Sequence, residues 1–368
     1  MSLHLALFFT YGVSLETWMT TGMFHREVAL YQKMQELGVR ISFITYGTND
    51  RRYNQDLPHI EIYDNQFKLP NSIYARLIPL LHMKVLRTAD VIKTNQFKGG
   101  EFAQLAAKIW NKPLIARAGY NWSEFVREEE KQNTKIQNIV QKKQDNLIRQ
   151  SSLIVVTTKR DATLISPNDS DIPIRIHPNY VLTNSFKPLS SQKQFDIVFL
   201  GRITPQKNIA MLLDALRRLE NRTILLIGKG EMIESLQQDY ADLADRVTWY
   251  GTAPHEDLPQ IMQQARIYIL PSHHEGHPKA LIEAMSCGMP VVGTDVPGIQ
   301  DVIQHGKTGW LCEKTPNSIA QALEKLLQDE HLQNTLGENA RQYALAHYSL
   351  DHIAQLEIDA MKIVTNTP

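Results

Sequence analysis

Tyr268–Ile269–Leu270–Pro271–Ser272–His273–His274–Glu275–Gly276–His277–Pro278–Lys279–Ala280–Leu281–Ile282–Glu283–Ala284–Met285 runs from an apolar segment through a polar turn into a second apolar segment. The first run, closed by Pro271–Ser272, reads as a buried strand and its exit turn. The second has helical length; Pro278 suits a first helical position and Gly288 a left-handed residue past the end. Glu275 then lies in the loop at the carboxyl end of a strand. Glu283 lies about a turn and a half into the helix. Its neighbours Leu281, Ile282, Ala284 and Met285 are apolar, so its charge needs a partner or a shifted pKa. A pair of ligand hydroxyls would serve, because a carboxylate accepts two hydrogen bonds at once.

Outward from this unit the chain repeats strand then helix. Leu3–Thr10, Val39–Tyr46, Val91–Thr94, Pro113–Ala116 and Leu153–Thr157 are apolar runs separated by helical sequence. A Pro- and Ser-bearing stretch, Pro178 to Gln194, interrupts them. The pattern restarts with Asp196–Leu200, Thr223–Ile227, Val247–Tyr250, Ile267–Leu270 and Pro290–Thr294. Such alternation predicts an α/β chain with parallel sheets covered on both faces. At 368 residues the chain exceeds one ordinary core. We expect two doubly wound domains, 1–185 and 186–349, with 350–368 packing back on the first.

Composition narrows the class further. Cys287 and Cys312 lie in apolar surroundings and outside any metal-ligand spacing, which favours reduced, buried thiols. Met1 to Phe9 has no basic leader and reads as a first strand, and no window is apolar enough to span a membrane. The net charge is zero, but residues 1–187 hold 24 Lys and Arg against 17 Asp and Glu, a surplus that the remainder reverses. The basic residues concentrate on expected helices: Arg76, Lys84 and Arg87, then Lys131, Lys135, Lys142, Lys143 and Arg149. A solvated helix face accounts for any single one; together they also suit peripheral contact with an anionic membrane or acceptor. Nucleic acid is not an expected partner, because aromatics are not interleaved and no binding motif is present.

In open parallel sheets ligands bind beyond the carboxyl ends of the strands. Four loops of the second half fall there. Gly201–Arg202…Lys207 places two cations around a turn that opens a helix over Ile209–Leu219, an arrangement that suits a diphosphate. Gly228–Lys229–Gly230 follows a strand but is not the dinucleotide fingerprint. Gly251–Thr252 offers backbone groups to a base, or is an ordinary turn. The fourth loop is Glu275–Lys279, where the N–H groups of Gly276, His277 and Lys279 can face hydroxyls or phosphate and Pro278 cannot.

Taken together, Gly201–Arg202…Lys207, Gly228–Lys229–Gly230, Gly251, Pro271–Ser272…Glu275–(seven)–Glu283–Ala284–Met285, Gly288–Met289–Pro290–Val291–Val292 and Gly306…Gly309 resemble the retaining GT-B glycosyltransferases of family GT4. The resemblance covers nearly all of the second half; the first matches in outline, as strand, Gly12 and helix. It implies two Rossmann-like domains facing a cleft. It also implies a nucleotide-diphosphate sugar as co-substrate, no cofactor, no metal, and a glycan or lipid-linked acceptor at the cytoplasmic face of a membrane. By the same resemblance Glu275 holds hydroxyls of the transferred sugar and Glu283 the ribose. Arg202 and Lys207 bind the diphosphate and stabilise its charge as it leaves. Gly12, Gly201, Gly228, Thr252, Gly276, His277, Lys279, Ala280 and Leu281 complete the donor site.

One departure stands out. Many relatives carry a histidine in the first domain near the sugar, whereas Leu114 to Ser123 has none; Arg117, Tyr120 and Asn121 are the expected substitutes on the acceptor side. Tyr120 and Trp122 can equally be packing aromatics, and His177 reads as structural. Two other activities fit the same motifs: a nucleotide-sugar epimerase of GT-B form, and a protein that binds nucleotide sugars without turnover.

Overall fold

The apolar runs of the first half become β1 (His4–Phe8), β2 (Arg40–Ile44), β3 (Ile60–Tyr63), β4 (Val91–Thr94), β5 (Leu114–Ala118), β6 (Leu153–Val156) and β7 (Ile174–Ile176). They form one sheet in the order β3-β2-β1-β4-β5-β6-β7, with every pairing parallel. The second half gives β8 (Phe195–Leu200), β9 (Ile224–Ile227), β10 (Val247–Gly251), β11 (Ala265–Leu270), β12 (Val291–Thr294) and β13 (Trp310–Cys312). Their order is β10-β9-β8-β11-β12-β13, again parallel throughout. The computed structural model describes residues 2–119, 122–129, 133–165 and 172–366.

Between the strands of the first half run α1 (Leu15–Thr20), α2 (Phe24–Glu36), α3 (Asn71–Leu81), α4 (Met83–Thr88), α5 (Gly100–Trp110), α6 (Trp122–Glu129), α7 (Thr134–Arg149) and α8 (Lys159–Ile165). The second half supplies α9 (Ile209–Leu216), α10 (Ile233–Asp239), α11 (Leu258–Met262), α12 (Lys279–Ser286), α13 (Pro316–Gln328), α14 (Glu330–Tyr348) and α15 (Leu350–Asn366). Interior strands are largely buried, and β6 and β9, made of Leu, Ile and Val throughout, are buried along their whole length. This is the near-continuous apolar signature of strands covered on both faces. Three strands that the apolar runs do not announce, β3, β7 and β13, are all at sheet edges. Edge strands bury less, so their sequences carry a weaker pattern.

The chain separates into two units, Met1–Pro178 with Ile353–Pro368, and Asn179–His352. The divisions fall at 178 and 352, whereas the sequence places them at 185 and 349. Val181 donates its N–H to Tyr348 O (2.8 Å) and pairs with Ser349, which draws both segments into the second unit. In the first unit Glu357 of α15 meets Lys93 of β4. Lys93 Nζ donates to Glu357 Oε2, and His177 Nδ1 lies 3.1 Å from Oε1. All three side chains are buried. Burial opposes ionisation of Glu357, but Lys93 and His177 outweigh it and hold the carboxyl well below the usual range. His177 is thus a structural residue.

In each sheet the strand order reverses once, between β1 and β4 and between β8 and β11. In the second unit this brings the loop after β8 beside the loop after β11, the position where open α/β sheets take ligands.

Candidate active site

The two loops at this reversal are bonded to each other at several points. Lys207 ends a 3-10 turn, Pro205–Lys207, and its Nζ lies 2.5 Å from Glu275 Oε1. Ser272 Oγ donates to the same oxygen at 2.5 Å. His273 N–H donates to Gln206 O at 2.9 Å, and Gln206 Nε2 donates to His274 O at 2.9 Å. Asn208, in the left-handed region at φ 56°, donates from Nδ2 to Pro271 O at 3.2 Å. Glu275 is therefore a buried carboxylate with a cation and a hydroxyl already on one oxygen. Lys207, expected at the diphosphate, here pairs with Glu275; Arg202 is exposed, and its guanidinium has no partner among the described residues.

Glycines set the backbone around this pair. A Cβ on Gly228 would stand 1.8 Å from Gly201 O, and one on Gly230 would stand 1.9 Å from Ile203 O. The loops after β8 and β9 thus touch main chain to main chain, sealed by Ile203 N–H donating to Lys229 O at 2.9 Å. Glycine at 228 and 230 is required by this approach before any ligand is considered. A further glycine, Gly298, was missed by sequence reasoning. At φ 83° its Cβ would lie 2.2 Å from Gly276 O and 2.3 Å from Glu275 O. Glu275 N–H donates to Pro297 O at 3.3 Å, so the Pro297–Gly298 turn supports the loop from beneath. The Pro-Gly dipeptide was the signal that could have exposed it.

Glu283 is 5% exposed on α12. Its partner is His255, whose Nε2 lies 3.0 Å from Oε1. His255 comes from the loop after β10 and packs on Phe186; nothing in its local sequence marks it as the partner of a helix 28 residues away. Burial, with Glu275 and Glu283 acting in the same direction, pushes the phenol of Tyr268 well above its ordinary value. Both carboxylates therefore act on one side chain of β11.

Between them lies the start of α12. Pro278 is the N-cap and not the first helical residue; its φ of −74° fits either place, but ψ of 107° is extended. Lys279, Ala280 and Leu281 form the first turn, and no side chain caps it. The Leu281 side chain is buried in the core, so only its N–H can face a ligand. A helix start of this kind favours an anion. His277 is buried, which lowers its pKa to about 4, Lys279 adding to the effect. Its ring meets Tyr348 edge-on at 5.1 Å, its carbonyl accepts from Asn179 Nδ2 at 2.8 Å, and its Nδ1 has no hydrogen-bond partner. Gly276 and Thr252 are exposed.

In the first unit Gly12 takes φ 78° in the turn after β1. Arg117 is half-buried on β5, and its Nη1 donates to Asn95 O at 3.3 Å. Tyr120 and Asn121 lie outside the described residues. Among the described residues no helix is long and apolar enough to cross a membrane.

A two-sheet α/β chain with this second unit has the fold of the GT-B glycosyltransferases. Sucrose-phosphate synthase of Thermosynechococcus elongatus is similar over the full length of both chains (TM-score 0.78, 21% identity). Anabaena Alr3699/HepE, solved in complex with UDP-glucose, is similar over 98% of this chain and 99% of that one (TM-score 0.72, 20% identity). Residues 182–343, all within the second unit, match the family described as glycosyl transferases group 1. An uncharacterized glycosyltransferase of Methanocaldococcus jannaschii is 31% identical over 173 residues, which is 45% of this chain and 44% of that protein. The chain thus matches less than half the length of that relative.

Proposed function

We propose that the protein is a retaining, metal-independent glycosyltransferase that moves a sugar from a nucleotide-diphosphate sugar to a glycan or lipid-linked acceptor on the cytoplasmic side of a membrane. The observation that carries this reading is the Lys207–Glu275 pair, held between two strand loops at the sheet reversal and beside the uncapped start of α12. A diphosphate competes with Glu275 for Lys207. As Lys207 turns to phosphate and Arg202 joins it, a Glu275 oxygen is released to accept from sugar hydroxyls. Glu283, with His255 behind it, accepts from the ribose. The two cations then meet charge as it develops on the leaving phosphate, and electrostatic stabilisation of this kind is usually the largest single catalytic term.

The bond from the sugar C1 to the phosphate oxygen breaks, and a bond from C1 to the acceptor oxygen forms on the same face. The acceptor's proton passes to the departing phosphate, so no protein base is needed and configuration is retained. Two cations at the diphosphate supply the charge a metal would otherwise bring. The test is to incubate the protein, in EDTA, with UDP-, GDP- and ADP-sugars, with and without lipid-phosphate glycan acceptors. Release of nucleotide diphosphate from one donor, with an α-linked product from an α-linked donor, is expected. An inverted product would refute retention. Donor binding without release in every combination would leave a binding protein in its place.

A further inference from the structure

On one layer of the first unit, α3, α4, α5 and α7 pack side by side. Trp110 Nε1 of α5 donates to Pro79 O of α3 at 2.9 Å, and the Arg87 guanidinium of α4 lies 5.9 Å from the Trp110 ring. Lys143 of α7 bonds Glu101 of α5 at 2.8 Å. The outer side of this layer is apolar to an unusual degree. Ile73, Leu80 and Met83 are exposed on α3 and α4, Leu80 at 62%. Leu105 and Ile109 are exposed on α5, one turn apart, and Ile136 and Ile139 on α7. These are seven of the sixteen exposed large apolar side chains among the described residues. Large apolar side chains scattered singly mean little, but seven on one helix layer mark an interaction surface.

The charge on the same four helices is one-sided. They carry Arg76, Lys84, Arg87 and Lys108, then Lys135, Lys142, Lys143 and Arg149, against Glu101 and Asp145. Glu101 is already paired, and Asp145 accepts from Gln141. Lys84, Lys108 and Lys142 are exposed and have no acidic partner among the described residues. The acid-bearing α6, which packs on α7, ends the basic layer.

We propose that the outer face of α3, α4, α5 and α7 docks on an anionic lipid bilayer. Aliphatic side chains among cations, spread over several helices, suit headgroups and shallow acyl insertion; a folded partner would want a shaped, largely uncharged core. The inference rests on the transferase reading only for its purpose, which is to hold the enzyme where a lipid-linked acceptor lies. Binding itself needs no donor.

The test is co-sedimentation of the whole protein with phosphatidylcholine vesicles and with vesicles containing about a third phosphatidylglycerol, at low and physiological salt. Binding to the anionic vesicles alone, weakened by salt, is expected. Lys84→Gln with Lys108→Gln and Lys142→Gln should lower partitioning about a hundredfold, each lysine near an anionic surface being worth roughly fivefold. Ile73→Asn with Leu80→Asn and Ile109→Asn should keep the low-salt binding and lose that at physiological salt. Both variants should melt as the parent does and release nucleotide diphosphate from donor at the parent rate, because none of these residues lies in the donor loops. Binding to neither vesicle, equal binding to both, or no effect of either variant would overturn the proposal and leave the transferase reading untouched.

Discussion

Replacing Glu357 by Gln should unfasten the C-terminal helix from the first sheet. The carboxylate is buried, and it is the counter-charge of Lys93, also buried on the central strand β4. Removing one partner of such a pair leaves an uncompensated charge, at a cost of about 3–5 kcal/mol. Burial already lowers the Lys93 pKa, Glu357 opposing it. Without Glu357 the lysine can escape by releasing its proton. Holding a lysine neutral at pH 7 costs at most about 4.6 kcal/mol, from 1.36 kcal/mol per pH unit below ~10.4, so the two limits agree. Amide exchange in β4 and α15 is the suitable assay, because two units make a single unfolding free energy ill-defined. Protection should fall by roughly two to three orders of magnitude at pH 7. The deficit should shrink as pH rises toward ~10, since the unfolded chain binds the proton that folded Lys93 has lost. In the parent the sign is the same but the window is lower. Folding depresses the Glu357 pKa, so the stabilisation is complete above the ordinary carboxylate range and is lost as pH falls below ~4.3. Lys93→Met with Glu357→Leu should restore most of the protection, because an apolar pair of similar size satisfies the site. Unchanged protection in Glu357→Gln would refute the reasoning.

Glu275→Ala should lower transfer by roughly two to four orders of magnitude, on the basis of two charge-assisted bonds to the sugar at about 1.5–3 kcal/mol each; single-turnover rates with the fold checked by circular dichroism decide it, and parental turnover removes the assignment. Arg202→Ala with Lys207→Ala should weaken nucleotide-diphosphate affinity at least a hundredfold by calorimetry; an unaltered dissociation constant places the phosphate elsewhere. His277 is kept neutral by burial, so the unfolded chain takes up a proton from about pH 6.5 downward while the folded one does not until about pH 4. Stability of the second unit should therefore fall across that window, by about 3 kcal/mol at its lower end, and His277→Phe should flatten the slope seen in exchange of the α12 amides. Gly298→Ala places a methyl group against two carbonyl oxygens of the Glu275 loop and should impair donor binding more than global stability; a variant with parental donor affinity would show that the loop can move aside.

The second sheet was legible from its Val, Ile and Leu runs, and the site loops from glycine and charge placed directly after them. The adjacency of Gly201, Lys207 and Glu275 needs only one further assumption, that ligand loops gather where a parallel sheet changes direction. What escaped was non-local or short. His255 reaches Glu283 from another strand's loop, and Lys93 finds Glu357 across 264 residues. No window of sequence carries such pairings. Edge strands β3, β7 and β13 escaped because they are only three or four residues long: Glu61 and Arg175 interrupt the first two, and Trp310–Cys312 is too short to stand out.

The contrast between the halves has a physical source. Gly228 and Gly230 are fixed by main-chain contacts shorter than any side chain allows, so their identity is dictated by geometry and shows in the sequence. A helix start that takes an anion adds the same kind of constraint, since it works through N–H groups that every chain has and demands only that nothing obstruct them. The first unit has fewer such main-chain contacts, although a Cβ on Gly99, at φ 87°, would stand 3.0 Å from Tyr11 N. The docking proposed for its basic, apolar helix face would work through summed charge and area, to which many sequences are equivalent. A half built around backbone contact is therefore written in motifs. A half built around surface character is written in composition, and only the packing of α3, α4, α5 and α7 shows that its charges and its exposed apolar residues share one face.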